Sequence, residues 1–181
     1  MKTLIDVLID VVGRLDTIGI PSMVSGSVAT SFYVEPRFTY DIDIVVQLPR
    51  ALKDKVLSAF QGDYYITDIA IEDAFGGLGL FNVIHNESSV KCDLILLKDD
   101  EFSQQSFKRR TERELQSNTI SVIALEDLIL QKLLWRKETL SEQQWSDVER
   151  LVSVNRAVLD VAHLRSWAQR LSVVDDLEKL L

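Results

Sequence analysis

One cysteine and two histidines are all that this sequence has of the residues that build disulfides and zinc centres. Cys92 has no second cysteine to pair with, which excludes an internal disulfide, and a Cys/His zinc site lacks its ligands. Basic charge is also in short supply. The 20 lysines and arginines stand against 28 acids, a formal net charge of −8. That balance argues against a free-standing protein drawn onto DNA by charge and leaves room only for a local basic cleft. No uninterrupted apolar run approaches the roughly 20 residues that a membrane helix requires. Asp6 and Asp10 break the first apolar stretch, so no signal peptide is expected. There is no internal repeat and no low-complexity segment. The expectation is a cytoplasmic protein without a membrane partner.

What is present suits one globular domain: 181 residues, 46% hydrophobic. The opening "TLIDVLIDVVGRLDTIG" places Leu4, Leu8, Val11, Val12, Leu15 and Ile18 at helical spacing and stops at Gly19. "PSMVSGS" reads as a strand ending in a glycine turn, "VATSFYV" as a short helix closed by Pro36, and "DIDIVVQL" as a second strand. A helix over "ALKDKVLSAFQG" follows, then a strand and helical turn within "DYYITDIAIEDAFGGLG". "LGLFNVIHNESSVKCDLILLK" has the form of a hairpin, and "DDEFSQQSFKRRTERELQ" that of a charged helix or loop. Beyond "TISVIA" the pattern is helical to the end, with Ser141 and Gln144 spaced as a capping box. This order predicts an α/β (α+β) core over residues 1–122 and a helical tail over residues 123–181 packed on it.

The stretch "DIDIVV" sets two acids into an apolar strand. Successive strand side chains face opposite sides, so Asp41 and Asp43 share one face and Ile42 and Ile44 the other. Two carboxylates about 7 Å apart repel unless a cation lies between them or one is protonated. Magnesium suits such a pair, since it binds oxygen ligands through one or two carboxylates plus substrate phosphates. By itself D-x-D on a strand also fits an edge with a solvated face. Two further features weigh against that. Gly26 and Ser27 stand between a strand and a helix, where backbone can approach a phosphate. Asp93 is a lone acid in the apolar strand "VKCDLILLK", with Cys92 on the opposite, core-facing side.

Strand, Gly-Ser, helix, D-h-D-h (h apolar) and a later strand aspartate, taken in that order, resemble the minimal nucleotidyltransferases of the DNA polymerase beta superfamily. "RFTYDID", with Arg37 and Thr39, is similar to the stretch before the carboxylates in that superfamily's abortive-infection toxin branch. The resemblance covers the first hundred or so residues well and the helical tail far less specifically. It implies a nucleotidyltransferase-like mixed sheet flanked by helices. It also implies that Asp41, Asp43 and Asp93 hold Mg²⁺ or Mn²⁺ and act in catalysis, and that Gly26 and Ser27 cradle the phosphates of an NTP such as ATP. The acceptor would be the hydroxyl of a protein, a tRNA end or a small molecule, and the toxin branch implies a separate antitoxin protein.

Lys132 falls on the apolar face defined by Leu125, Leu128, Ile129, Leu133 and Trp135. A lysine there either snorkels to solvent along its stem or points into a cleft of negative charge. The resemblance implies a basic helical residue near the triphosphate, which makes Lys132 a nucleotide-binding candidate beside Arg37 and Thr39. His85 and His163 have no metal-ligand company, and "FKRRTERE" reads as a solvated face. The competing reading is a catalytically inactive nucleotidyltransferase fold that acts through a protein partner.

Overall fold

A computed structural model of the chain describes residues 2–181. Thr3 accepts a hydrogen bond from the Asp6 backbone N–H while the Asp6 carboxylate accepts from the Thr3 N–H, closing a capping box on α1 (Leu4–Thr17). The stripe Val7, Leu8, Val11 and Leu15 of this helix is buried, and the helix packs on the sheet. The chain continues through β1 (Ser22–Ser25), α2 (Gly26–Thr30), β2 (Asp41–Val46), α3 (Lys53–Phe60), β3 (Tyr64–Tyr65) and α4 (Asp68–Asp73). Next come the hairpin β4 (Leu80–His85) and β5 (Lys91–Leu96), then α5 (Glu101–Arg109), β6 (Thr111–Leu115) and β7 (Asn118–Val122). Four helices follow: α6 (Leu125–Thr139), α7 (Glu142–Asn155), α8 (Val161–Arg170) and α9 (Val174–Glu178).

The strands form one seven-stranded mixed sheet in the order β3-β4-β5-β2-β1-β7-β6. At its centre β2 pairs antiparallel with β1 and parallel with β5. Alternation along these strands buries Ile42, Ile44, Cys92 and Leu94 completely and leaves Asp41, Asp43 and Asp93 partly open on the other face. Cys92 is a free core thiol, and burial pushes its pKa up.

Two expectations change, and one open alternative is decided. "TEREL" is a strand rather than part of a charged helix or loop. It is an exposed edge strand studded with charge, which erases the apolar alternation that marks buried strands. The helix after Gly26 ends at Thr30, short of the Pro36 stop, and the residues beyond run as turns. Lys132 does not snorkel: it is fully buried. Among the described residues no helix is long and apolar enough to cross a membrane.

Candidate active site

The parallel register of β2 and β5 sets Asp43 directly beside Asp93 and Asp41 beside Lys91. On the other flank the antiparallel register sets Ser25, the last residue of β1, beside Asp43. The three aspartates predicted to work together therefore stand on one face of two neighbouring strands. Burial and the charges of Asp93 and Asp41 push the Asp43 carboxyl above the usual carboxylate range. Asp41 is the open member, with about half of its side chain exposed.

Gly26 is fitted to that pair. Its φ of +62° is one that L side chains rarely adopt, and a Cβ there would fall 1.9 Å from Asp43 Oδ2. The glycine predicted from the Gly-Ser turn is thus required by its own backbone and by the carboxylate lying across it.

Lys91 supplies a cation of the protein's own. Its ammonium lies 3.4 Å from Asp41 Oδ1 and 3.1 Å from Asp93 Oδ2. Partial burial would lower the Lys91 pKa, but the hydrogen bond and charge of Asp93, with Asp41 beyond, raise it overall. Asn82 on β4 donates to the other Asp93 oxygen. Among the described residues no group of three or more His, Cys, Asp or Glu side chains is placed to hold a metal ion, so the three aspartates do not form a ready ligand set. In chemical type the donors suit a hard divalent cation, since they are crowded, partly open carboxylates, and the Lys91 ammonium shows that two of them can share one positive charge.

The tail contributes a second charged group. Asp147 on α7 is 1% exposed and accepts three hydrogen bonds from two partners. Arg37 donates to it through Nε at 3.0 Å and Nη2 at 3.1 Å, and Lys132 through Nζ at 2.7 Å. Arg37 Nη2 also donates to Ser27 Oγ at 2.6 Å, which links the tail to the turn after β1. Burial lowers the Lys132 pKa and outweighs the Asp147 hydrogen bond that would raise it. Burial also opposes ionisation of Asp147, but Arg37 and Lys132 together hold its carboxyl below the usual range.

Arg37, Ser27 and Lys132, predicted separately, are therefore joined through a residue the sequence reading missed. Thr39 is not brought in: its hydroxyl donates to the Asp41 backbone carbonyl at 3.3 Å. Asp147, Lys91, Asn82 and Gln131, whose Oε1 accepts from Ser25 Oγ, were not singled out from sequence. Of these only Asp147 leaves a trace there, as a lone acid on the α7 stripe that buries Val148 and Leu151, matching Lys132, the one base among the buried residues of α6. His163, read as a plain helix residue, binds the buried Asp127 at 2.7 Å, and Arg109 binds the same carboxylate at 3.1 Å.

Compared with protein-family models and with curated protein sequences, the chain matches none. Solved structures do match it. The antibiotic-resistance factor ANT(2'')-Ia superposes with a TM-score of 0.62 at 12% identity, over 97% of this chain and 96% of that one. An antigenic nucleotidyltransferase-like protein from Paracoccidioides brasiliensis gives 0.57 at 16% identity, over 98% and 92%. The lincosamide antibiotic adenylyltransferase LnuA, bound to lincomycin, gives 0.55 at 13% identity, over 81% and 95%. The fold is nucleotidyltransferase-like.

Proposed function

We propose that this chain is a metal-dependent nucleotidyltransferase that moves a nucleoside monophosphate from an NTP to an acceptor hydroxyl. One observation carries the reading: Asp41 and Asp43 on β2 stand in register with β5, where Asp93 lies beside Asp43, and burial and its two neighbours make Asp43 costly to ionise. A fold has little use for such crowding unless a cation and phosphates relieve it. Bound Mg²⁺ or Mn²⁺ would supply charge neutralisation at the attacking and leaving oxygens of an in-line displacement.

The chain's own residues do the rest. Asp41, Asp43 and Asp93 would hold the cation. The backbone at Gly26 and the Ser27 hydroxyl receive the β- and γ-phosphates, with Arg37 and Lys132 adding positive charge behind them. Asp93 takes the proton of the acceptor hydroxyl. That oxygen bonds to the α-phosphorus, the α–β phosphoanhydride bond breaks, and pyrophosphate leaves. The structural neighbours include an adenylyltransferase acting on an antibiotic, which supports a small-molecule acceptor. A toxin role is not included, because Arg37, which with Thr39 carries the likeness to the toxin branch, is accounted for by its grip on Asp147.

A specific observation favours the second reading, a binding module without catalysis. Lys91, Arg37 and Lys132 are all engaged by the protein's own carboxylates. Thermal unfolding with and without Mg²⁺ and each NTP separates the two. A ligand at about 100 times its dissociation constant adds roughly 2.7 kcal/mol. The enzyme reading expects a metal-dependent shift with at least one NTP, lost in Asp41→Asn/Asp43→Asn. No shift with any NTP hands the site to the binding-module reading.

A further inference from the structure

Two residues beyond the carboxylates, on the same face of the sheet, lies a cavity of about 400 Å³. Met23 is two residues from Ser25, Val45 two from Asp43 and Ile95 two from Asp93, and all three line the cavity. Strand positions two apart share a face at about 7 Å, so the cavity floor adjoins the aspartates. Leu134 and Trp135 of α6 wall it from the tail, and Phe102 of α5 from the side.

Besides the charged Lys98, Asp100 and Glu138 and the hydroxyl of Ser103, two neutral polar groups of this lining stand out. Ser106 of α5 is 4% exposed, lines the cavity, and its Oγ has no hydrogen-bond partner. A serine or threonine inside a helix can return its hydroxyl to the carbonyl one turn back, as Thr30, Ser58 and Thr139 do here. Ser106 does not, and a buried hydroxyl left unpaired is destabilising. The second group is Gln131, whose Oε1 accepts from Ser25 Oγ at 2.6 Å while its side chain lines the cavity. Gln131 thereby joins the cavity to the end of β1 that leads into Gly26.

We propose that this cavity is the acceptor site, and that its occupant is a small molecule with a compact apolar body and at least two hydroxyls. One hydroxyl pairs with Ser106 and another reaches the carboxylates. The volume is that of a small-ligand pocket and too small for a protein or nucleic-acid end. The charges at the cavity are mixed, with Lys98 beside Asp100 and Glu138, so nothing there selects a polycation. The proposal rests on the nucleotidyltransferase reading: the occupant's hydroxyl oxygen bonds to the NTP α-phosphorus, its proton passes to Asp93, and pyrophosphate departs.

The test uses the full chain and two probes, 1-phenyl-1,2-ethanediol and tobramycin, followed by saturation-transfer NMR with and without MgATP. The diol should bind and tobramycin should not displace it. Diol affinity should fall at least tenfold in Ile95→Trp, which fills the cavity, and several-fold in Ser106→Ala, which keeps the volume and removes the hydroxyl. Both variants should keep the wild-type thermal shift with MgATP, and diol and MgATP should bind together. Absence of diol binding, or equal binding to both variants, overturns the cavity assignment while leaving the NTP shift intact. Mutual exclusion of diol and MgATP overturns it by assigning the cavity to the nucleoside. Diol binding with no NTP shift in the wild type overturns the acceptor role through failure of the transfer reading.

Discussion

A Cβ at position 26 would stand 1.9 Å from Oδ2 of Asp43, so the glycine and the carboxylate are two halves of one feature. The left-handed φ at Gly26 turns the chain from β1 into α2, and the missing side chain leaves room for Asp43 to lie across the turn.

Gly26→Ala should therefore damage fold and site together. The backbone strain alone is about 1–2 kcal/mol, and Asp43 must swing away besides. At roughly 2–4 °C per kcal/mol for a chain of this size, the midpoint should drop by several degrees. The MgNTP-dependent shift should vanish. A variant that unfolds at the wild-type temperature and keeps the shift would show that Asp43 moves aside freely.

Removing opposite ends of the tail's ion group should have unequal effects. Asp147→Asn leaves Lys132 and Arg37 without their shared carboxylate, and breaking a buried pair this way costs about 3–5 kcal/mol. Lys132→Met leaves Asp147 still gripped by Arg37 and should cost clearly less. Urea unfolding of both variants checks the order, which reverses if Arg37 contributes little.

Asp147 also predicts an acid limb. Its folded-state pKa lies below the ordinary 3.8, so the folded protein binds this proton more weakly than the unfolded chain does. The resulting stabilisation is complete above the unfolded value and is lost as pH falls through the lowered one. Stability measured from pH 5 downward should decline less steeply in Asp147→Asn than in the wild type.

Lys91 should compete with added metal. With its ammonium bridging Asp41 and Asp93, magnesium must displace or share that place. Lys91→Gln should lower stability in the absence of metal and enlarge the thermal shift produced by Mg²⁺ alone. An unchanged Mg²⁺ shift would separate the lysine from the metal position.

Asp127 provides a control for damage that does not involve the site. It is buried and held by Arg109 and His163, which tie α5 and α8 to α6. Asp127→Ala should lower the unfolding midpoint while leaving the size of the MgNTP shift unchanged. Loss of the shift would mean that packing of the tail, and not the carboxylates alone, governs nucleotide binding.

Alternation of period two was enough to show that Asp41 and Asp43 share a face with Ile42 and Ile44 behind them, because side-chain direction along a strand is local geometry. The Gly-Ser turn, the β4–β5 hairpin and the helical character of the tail were legible for the same reason. The edge strand "TEREL" was not, since its partner β7 and its exposure, rather than its own pattern, make it a strand. Only the tertiary structure decided that Asp93 stands beside Asp43, that Lys91 reaches across to Asp41, and that Lys132 is buried on Asp147. Strand register and helix packing set those distances. The Arg37–Asp147 contact joins residues 110 positions apart, a separation over which no local spacing carries information.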